Sequence, residues 1–170
     1  PSSAASDVYK RQYLAKYRGQ FDEGWDVVRD QWFARQLELG VIPADTVLAP
    51  RNPGVLPWGD LSDNERALAC RLQEAFAAML EHTDAQIGRL VGALDHLGVL
   101  DDTLIMVLSD NGASQEGGPT GVLDEMKFFN FVAEDTDAAV KRLDEIGGPS
   151  SHSNYPWGWA QVGNLSLIHI

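Results

Sequence analysis

From Leu68 to Leu97 the chain repeats a stripe residue every three or four positions: Leu68, Leu72, Phe76, Met79, Thr83, Ile87, Leu90, Leu94 and Leu97. That period places one apolar face along a long α-helix. Ser62 with Glu65 three residues later forms a capping box at its start, and Gly98 stands just past its end, where the chain can turn left-handed. A shorter pattern covers residues 21–39: Trp25, Trp32 and Phe33 recur at near-helical spacing, Asp22 is placed to cap, and Gly40 closes the run. Between these helices, residues 41–60 carry Pro43, Pro50, Pro53, Pro57, Gly54 and Gly59, a density that breaks helices and predicts an irregular connector within the domain.

After the long helix the period changes. Leu104-Ile105-Met106-Val107-Leu108 is an unbroken apolar run bounded by polar residues. A run that short, following a helix, predicts a strand buried on both faces of a parallel sheet, and hence an α/β fold with helices packed on a largely parallel sheet. A second short helix is expected over residues 137–146, closed by Gly147-Gly148-Pro149. No internal repeat is present.

Composition narrows the function classes. The 170 residues are 44% apolar and 22% charged, enough for one domain with a core. Against 13 basic residues stand 25 acidic ones, a net charge of -12 without a local basic patch, which argues against nucleic acid or an anionic membrane as partner. No apolar run approaches the roughly 20 residues that span a bilayer. Cys70 is the one cysteine, so an intrachain disulfide and a cysteine-based zinc cluster are both excluded. The compartment stays open. Residues 1–12 and 165–170 resemble translated sequencing-adaptor sequence of the kind that flanks metagenomic reads, so 13–164 is read as the authentic chain. On that reading Asn164-Leu165-Ser166, formally a glycosylation triplet, is an accident of the junction.

The candidate chemistry sits where the expected strand ends. In open α/β sheets the ligand crevice lies at the carboxyl ends of strands, and here that position holds Asp110, Asn111 and Gly112. Aspartate and asparagine offer the hard oxygens that calcium or magnesium takes. Consecutive strand residues point to opposite faces, so the two oxygens converge only if the chain turns at Gly112, which tolerates positive φ. Calcium takes about six to eight oxygens, so two residues are part of a site at most. The competing reading is local: Asn-Gly between apolar residues is also the commonest hairpin turn. Residues 116–121 lack the lysine and following helix of a phosphate-cradling loop.

The wider sequence favours the metal reading. Thr103-Leu104-Ile105, Ser109-Asp110-Asn111-Gly112-Ala113-Ser114 and Glu116-Gly117-Gly118 closely resemble the strand and metal loop of bacterial arylsulfatases, in the alkaline phosphatase superfamily. Further blocks resemble that family in the same order. They are Lys16-Tyr17-Arg18-Gly19, Phe21-Asp22-Glu23-Gly24-Trp25-Asp26, Glu81-His82-Thr83-Asp84, Ile146-Gly147-Gly148-Pro149, Tyr155-Pro156 and Gly158-Trp159-Ala160. The resemblance implies a sulfatase-type sandwich fold and a sulfuric ester hydrolase whose calcium is ligated by Asp110 and Asn111. It also implies a sulfate ester, small-molecule or glycan, as substrate. The family's nucleophile is a formylglycine made from a Cys-x-Pro-x-Arg-like motif, and Cys70 lies instead in Ala69-Cys70-Arg71-Leu72. The family's aspartate pair, histidine and lysine are expected outside residues 13–164. The segment is therefore expected to be inactive alone, as part of a parent for which a periplasmic or secreted location is compatible. Two other readings remain: a phosphate or phosphonate ester hydrolase of the same superfamily, and a non-catalytic homologue that binds sulfate esters.

The remaining candidates have structural explanations. Cys70 reads as a small core residue, His82 as a hydrogen-bonded flank of the long helix, and His96 as a helix-end residue facing carbonyl dipoles. His152 lies in a serine-rich loop that can face substrate, and His169 falls in the terminal segment set aside. Trp157 and Trp159 line a cleft or pack in the core.

Overall fold

The computed structural model describes residues 11–108 and 111–165. Residues 11–16 are helical, and five further helices follow: α1 (Gly24–Glu38), α2 (Asp63–His96), α3 (Met126–Phe129), α4 (Thr136–Val140) and α5 (Trp157–Gly163). Short 3-10 turns at Trp58–Asp60, Leu100–Asp102 and Leu143–Glu145 join them.

Helix α2 forms as its pattern requires. The Ser62 side chain accepts from the Glu65 backbone N–H while the Glu65 carboxylate accepts from the Ser62 N–H, so the capping box is complete. At the far end Gly98 takes φ +70. At about 1.5 Å per residue, its 34 residues make it roughly 50 Å long. Only its first half is covered. Leu68 and Leu72 are buried, whereas Leu90 is 60% and Leu97 71% exposed.

The core lies where α1 and α5 meet the first turns of α2. Phe21, Trp25, Trp58 and Trp159 pack edge to face with ring centres 4.8 to 6.0 Å apart, the geometry that the aromatic quadrupole favours. The indole N–H groups find acceptors: Trp25 Nε1 donates to Leu56 O and Trp159 Nε1 to Ala69 O, both at 3.1 Å. Leu68, Leu72, Ile146 and Val162 fill the space around them.

Three expectations change. Helix α1 starts at Gly24 rather than after Asp22, because Gly24 has φ +81 and a Cβ there would lie 2.2 Å from the Trp58 ring. The helix expected over residues 137–146 is split into α4 and the Leu143–Glu145 turn. The Arg71 guanidinium takes the carbonyls of Leu143 and Ile146, at 3.2 and 3.3 Å, and side-chain capture of carbonyls offers the backbone an alternative to a continued helix. The third change is larger. No strand forms among the described residues, which are joined only by isolated bridges at Val122–Asn154 and Asp124–His152. Leu104 and Leu108 are 84% and 80% exposed. A strand buried on both faces needs neighbours for its backbone groups, and no other described segment pairs with this one.

Candidate functional site

The loop that begins at Asn111 is held by the last described segment of the chain. Asp110 lies outside the described residues, and Asn111 is exposed. Gly112 takes φ +67, so the turn that the metal reading needed is made. The next residue is clamped on both sides of its peptide. Asn164 Oδ1 accepts from the Ala113 N–H at 2.9 Å, and Asn164 Nδ2 donates to the Ala113 carbonyl at 3.0 Å. One side chain thus satisfies a donor and an acceptor that no regular ladder serves.

The clamp continues along the loop. The Ser114 N–H donates to the Tyr155 hydroxyl at 2.9 Å, and Ser114 Oγ accepts from Asn154 Nδ2 at 3.1 Å and from the Glu116 N–H at 3.2 Å. Tyr155 is buried, and burial pushes its hydroxyl pKa up, opposed by the hydrogen bond from Ser114. Trp157 donates from Nε1 to Gln115 O at 2.8 Å and from its backbone N–H to Gly118 O at 2.9 Å. Gly117 is closed on by the Tyr155 carbonyl: a Cβ there would sit 1.8 Å from that oxygen.

This loop forms one wall of an open cleft of about 1020 Å³. Asn111, Ser114 and Glu116 line that wall, Asn52 and Val55 the connector side, and Trp157 and Gln161 the side of α5. Gln161 ties the connector to α5, accepting from the Asn52 N–H and donating to Pro50 O, both at 3.2 Å. The donors that line the cleft are amide, hydroxyl and carboxylate groups, without cysteine or histidine. Among the described residues no cluster of three or more His, Cys, Asp or Glu forms that could hold a metal by itself.

The structure separates the two tryptophans. Trp159 is 1% exposed within the core, while Trp157 borders the cleft. The histidines stay apart from this loop. His82 meets the Tyr13 ring edge-on with centres 5.3 Å apart, His96 closes the last turn of α2, and His152 Nδ1 lies 3.3 Å from Glu125 Oε1. His169 lies outside the described residues.

Cys70 is buried, with its thiol donating to Phe21 O at 3.4 Å. Burial, reinforced by Asp22 and Glu74, pushes its pKa from 9.0 to about 12. Since the thiolate is the reactive form, the folded protein is expected to react with a disulfide reagent at pH 8 about 1,000-fold more slowly than the urea-unfolded chain. The folded thiol keeps its proton where the unfolded one has lost it, so this contribution to stability is present below pH 9 and is lost as pH rises from 9 towards 12. Equal labelling rates in the two states would show that the thiol is not shielded.

Asn164 and Tyr155 are the residues that sequence reasoning missed as site-builders. The Asn164 clamp spans 51 positions and the Tyr155 contact 41, and neither has a local signature. Asn164 stands in a glycosylation triplet, but its Nδ2 already donates to Ala113 O, so a glycan on that nitrogen would disturb the clamp.

The fold and loop mark a domain with a turn-borne oxygen site, and comparison with known proteins states the class. The sulfatase family model matches residues 5–148, and the chain belongs to the sulfatase family. Membership implies an alkaline-phosphatase-like fold. An uncharacterized sulfatase of Schizosaccharomyces pombe is 39% identical over 157 residues, covering 89% of this chain and 26% of the relative. An arylsulfatase of Klebsiella aerogenes is 30% identical over 157 residues, covering 90% of this chain and 31% of the relative. The chain thus spans about a quarter to a third of the length of these relatives.

Proposed function

We propose that this chain supplies the metal loop of a sulfuric ester hydrolase, in which Asp110 and Asn111 contribute two oxygen ligands to a calcium ion. The observation that carries the reading is the turn at Gly112 followed by the two-sided Asn164 clamp on Ala113. Together they fix the backbone immediately after the proposed ligands and set Asn111 at the rim of the cleft. The cleft's donor chemistry fits the same ion: amide, hydroxyl and carboxylate oxygens suit hard cations, and the softer thiolate and imidazole ligands are not in its lining.

A calcium ion held there would supply Lewis-acid charge to a sulfate oxygen as the ester bond breaks. The chain's own residues have simpler tasks. Asp110 and Asn111 direct oxygens to one point, Gly112 permits the turn, and Asn164, Tyr155 and Trp157 keep the loop from relaxing. Positioning of this kind is what limits metal affinity once the ligands are present. The nucleophile belongs to another segment of the intact enzyme, since these 170 residues contain no Cys-x-Pro-x-Arg motif and Cys70 is a buried helix residue. The remaining strands of the parallel sheet, against which residues 104–108 would pair, are placed there too. By itself the chain is expected to turn over no sulfate ester. In the intact protein the substrate is a small-molecule or glycan sulfate ester.

The test uses the full-length protein that carries this segment, assayed on 4-nitrophenyl sulfate and 4-nitrophenyl phosphate with and without a calcium chelator. Calcium-dependent hydrolysis of the sulfate is expected. Asp110→Ala or Asn111→Ala should raise the calcium concentration for half activity beyond the roughly 10–100-fold typical of losing an outer-shell partner. Turnover of the phosphate ester alone would replace this reading with a phosphoester hydrolase. Binding without turnover of either ester would leave a sulfate-ester-binding homologue.

A further inference from the structure

The cleft holds a second set of groups, which a metal loop alone does not require. Trp157 is anchored by Nε1 to Gln115 O and by its backbone N–H to Gly118 O, so its ring is fixed in place. That ring lies beside Gly54, where a Cβ would come 3.4 Å from Cζ3. Trp159, two residues on, is spent on the core. The same cleft is lined by Gln115 and Glu116, and among the described residues neither side chain is taken up by a hydrogen bond.

An aromatic leaving group matches only part of this lining. Its ring would stack on Trp157, but its edge has no donor for a carboxylate, and a carboxylate shielded from water without a partner is costly. A pyranose matches all of it. It has an apolar face of C–H groups for the indole, whose face carries negative charge density. Its rim of hydroxyls both donates and accepts, as Glu116 and Gln115 require. The carboxylate also disfavours a second anionic group on the same sugar, as does the net charge of -12.

We infer that this cleft is the leaving-group subsite for an otherwise neutral sugar carrying one sulfate, with Trp157 against the ring face and Glu116 and Gln115 on its hydroxyls. The inference rests on the sulfatase reading above and names the substrate class of that site.

The experiment measures kcat/KM of the calcium-loaded full-length protein on methyl glucopyranoside 3-sulfate, methyl glucopyranoside 6-sulfate and 4-nitrophenyl sulfate. Trp157→Ala is expected to lower kcat/KM on a sugar sulfate about tenfold through KM, the scale of one lost stacking contact. Trp157→Phe, which keeps an aromatic face, should retain most of it and shows that the protein still folds. Glu116→Ala should lower the sugar sulfate about tenfold, as expected for losing an acceptor to a hydroxyl, and leave 4-nitrophenyl sulfate unchanged or improved. Equal effects of Glu116→Ala on sugar and aryl esters overturn the inference, as does turnover of 4-nitrophenyl sulfate with neither sugar ester hydrolysed. Both results leave the sulfatase reading intact. Failure to hydrolyse any sulfate ester overturns that reading and the inference with it.

Discussion

Gly117→Ala is expected to destabilise the protein by about 3 kcal/mol or more, at the upper end of what overpacking costs. A Cβ at this position would lie 1.8 Å from the Tyr155 carbonyl oxygen and 2.6 Å from its carbon. Both atoms are backbone, so no rotamer change can relieve the overlap. The strands of chain on either side are tied together, since Trp157 bonds to Gln115 O and to Gly118 O. Relief therefore has to come from moving the Tyr155 segment away from the metal loop. Calcium affinity should fall together with the urea midpoint of the full chain. Gly40→Ala is the control: its φ of +66 makes the substitution strained, but nothing lies within 4 Å, so about 1 kcal/mol is expected. A Gly117→Ala protein with an unchanged midpoint would mean that the two segments are not in contact.

The second large effect is expected at Asn164. Asn164→Ala leaves the Ala113 N–H and carbonyl without their partner, and each part-buried group that goes unpaired costs about 1–3 kcal/mol. Because Ala113 is two residues from Asn111, the loss should appear in calcium binding as well as in stability. Asn164→Asp separates the two bonds. It keeps an acceptor for the Ala113 N–H but sets an anionic oxygen against the Ala113 carbonyl, so it should be no better than the alanine variant. A urea titration and a calcium titration of the full-length protein check both statements. Unchanged calcium affinity in both variants would show that the loop holds its shape without the clamp.

Both predictions concern contacts between residues 113–118 and residues 154–164, so the site is built from two segments that share no sequence signal. The core behind them explains why the second segment is where it is. Gly158 lies against Trp25, with a Cβ there 2.3 Å from the indole. Trp159 is locked into the aromatic group with its N–H on Ala69 O. Packing of α5 against α1 and α2 thus aims Trp157 and Asn164 at the loop.

What the sequence determined by itself is what neighbours along the chain decide. The Ser62–Glu65 capping box, the left-handed glycines at 40, 98 and 112, and the irregular connector over residues 41–60 all follow from local backbone preferences and from groups a few residues apart. The long helix was legible for the same reason, and the ordered family blocks pointed to the sulfatase family. Tertiary structure alone decided the rest. Trp157 and Trp159 are equivalent in sequence terms, yet one faces the cleft and the other is buried, because helical geometry turns residues two apart to different sides. Arg71 broke the second helix from across the chain. Asn164 became a clamp through a contact 51 residues distant. The apolar run of residues 104–108 has strand composition but no strand partner among the described residues, because a strand is completed by hydrogen bonds to another segment, which its own sequence cannot supply.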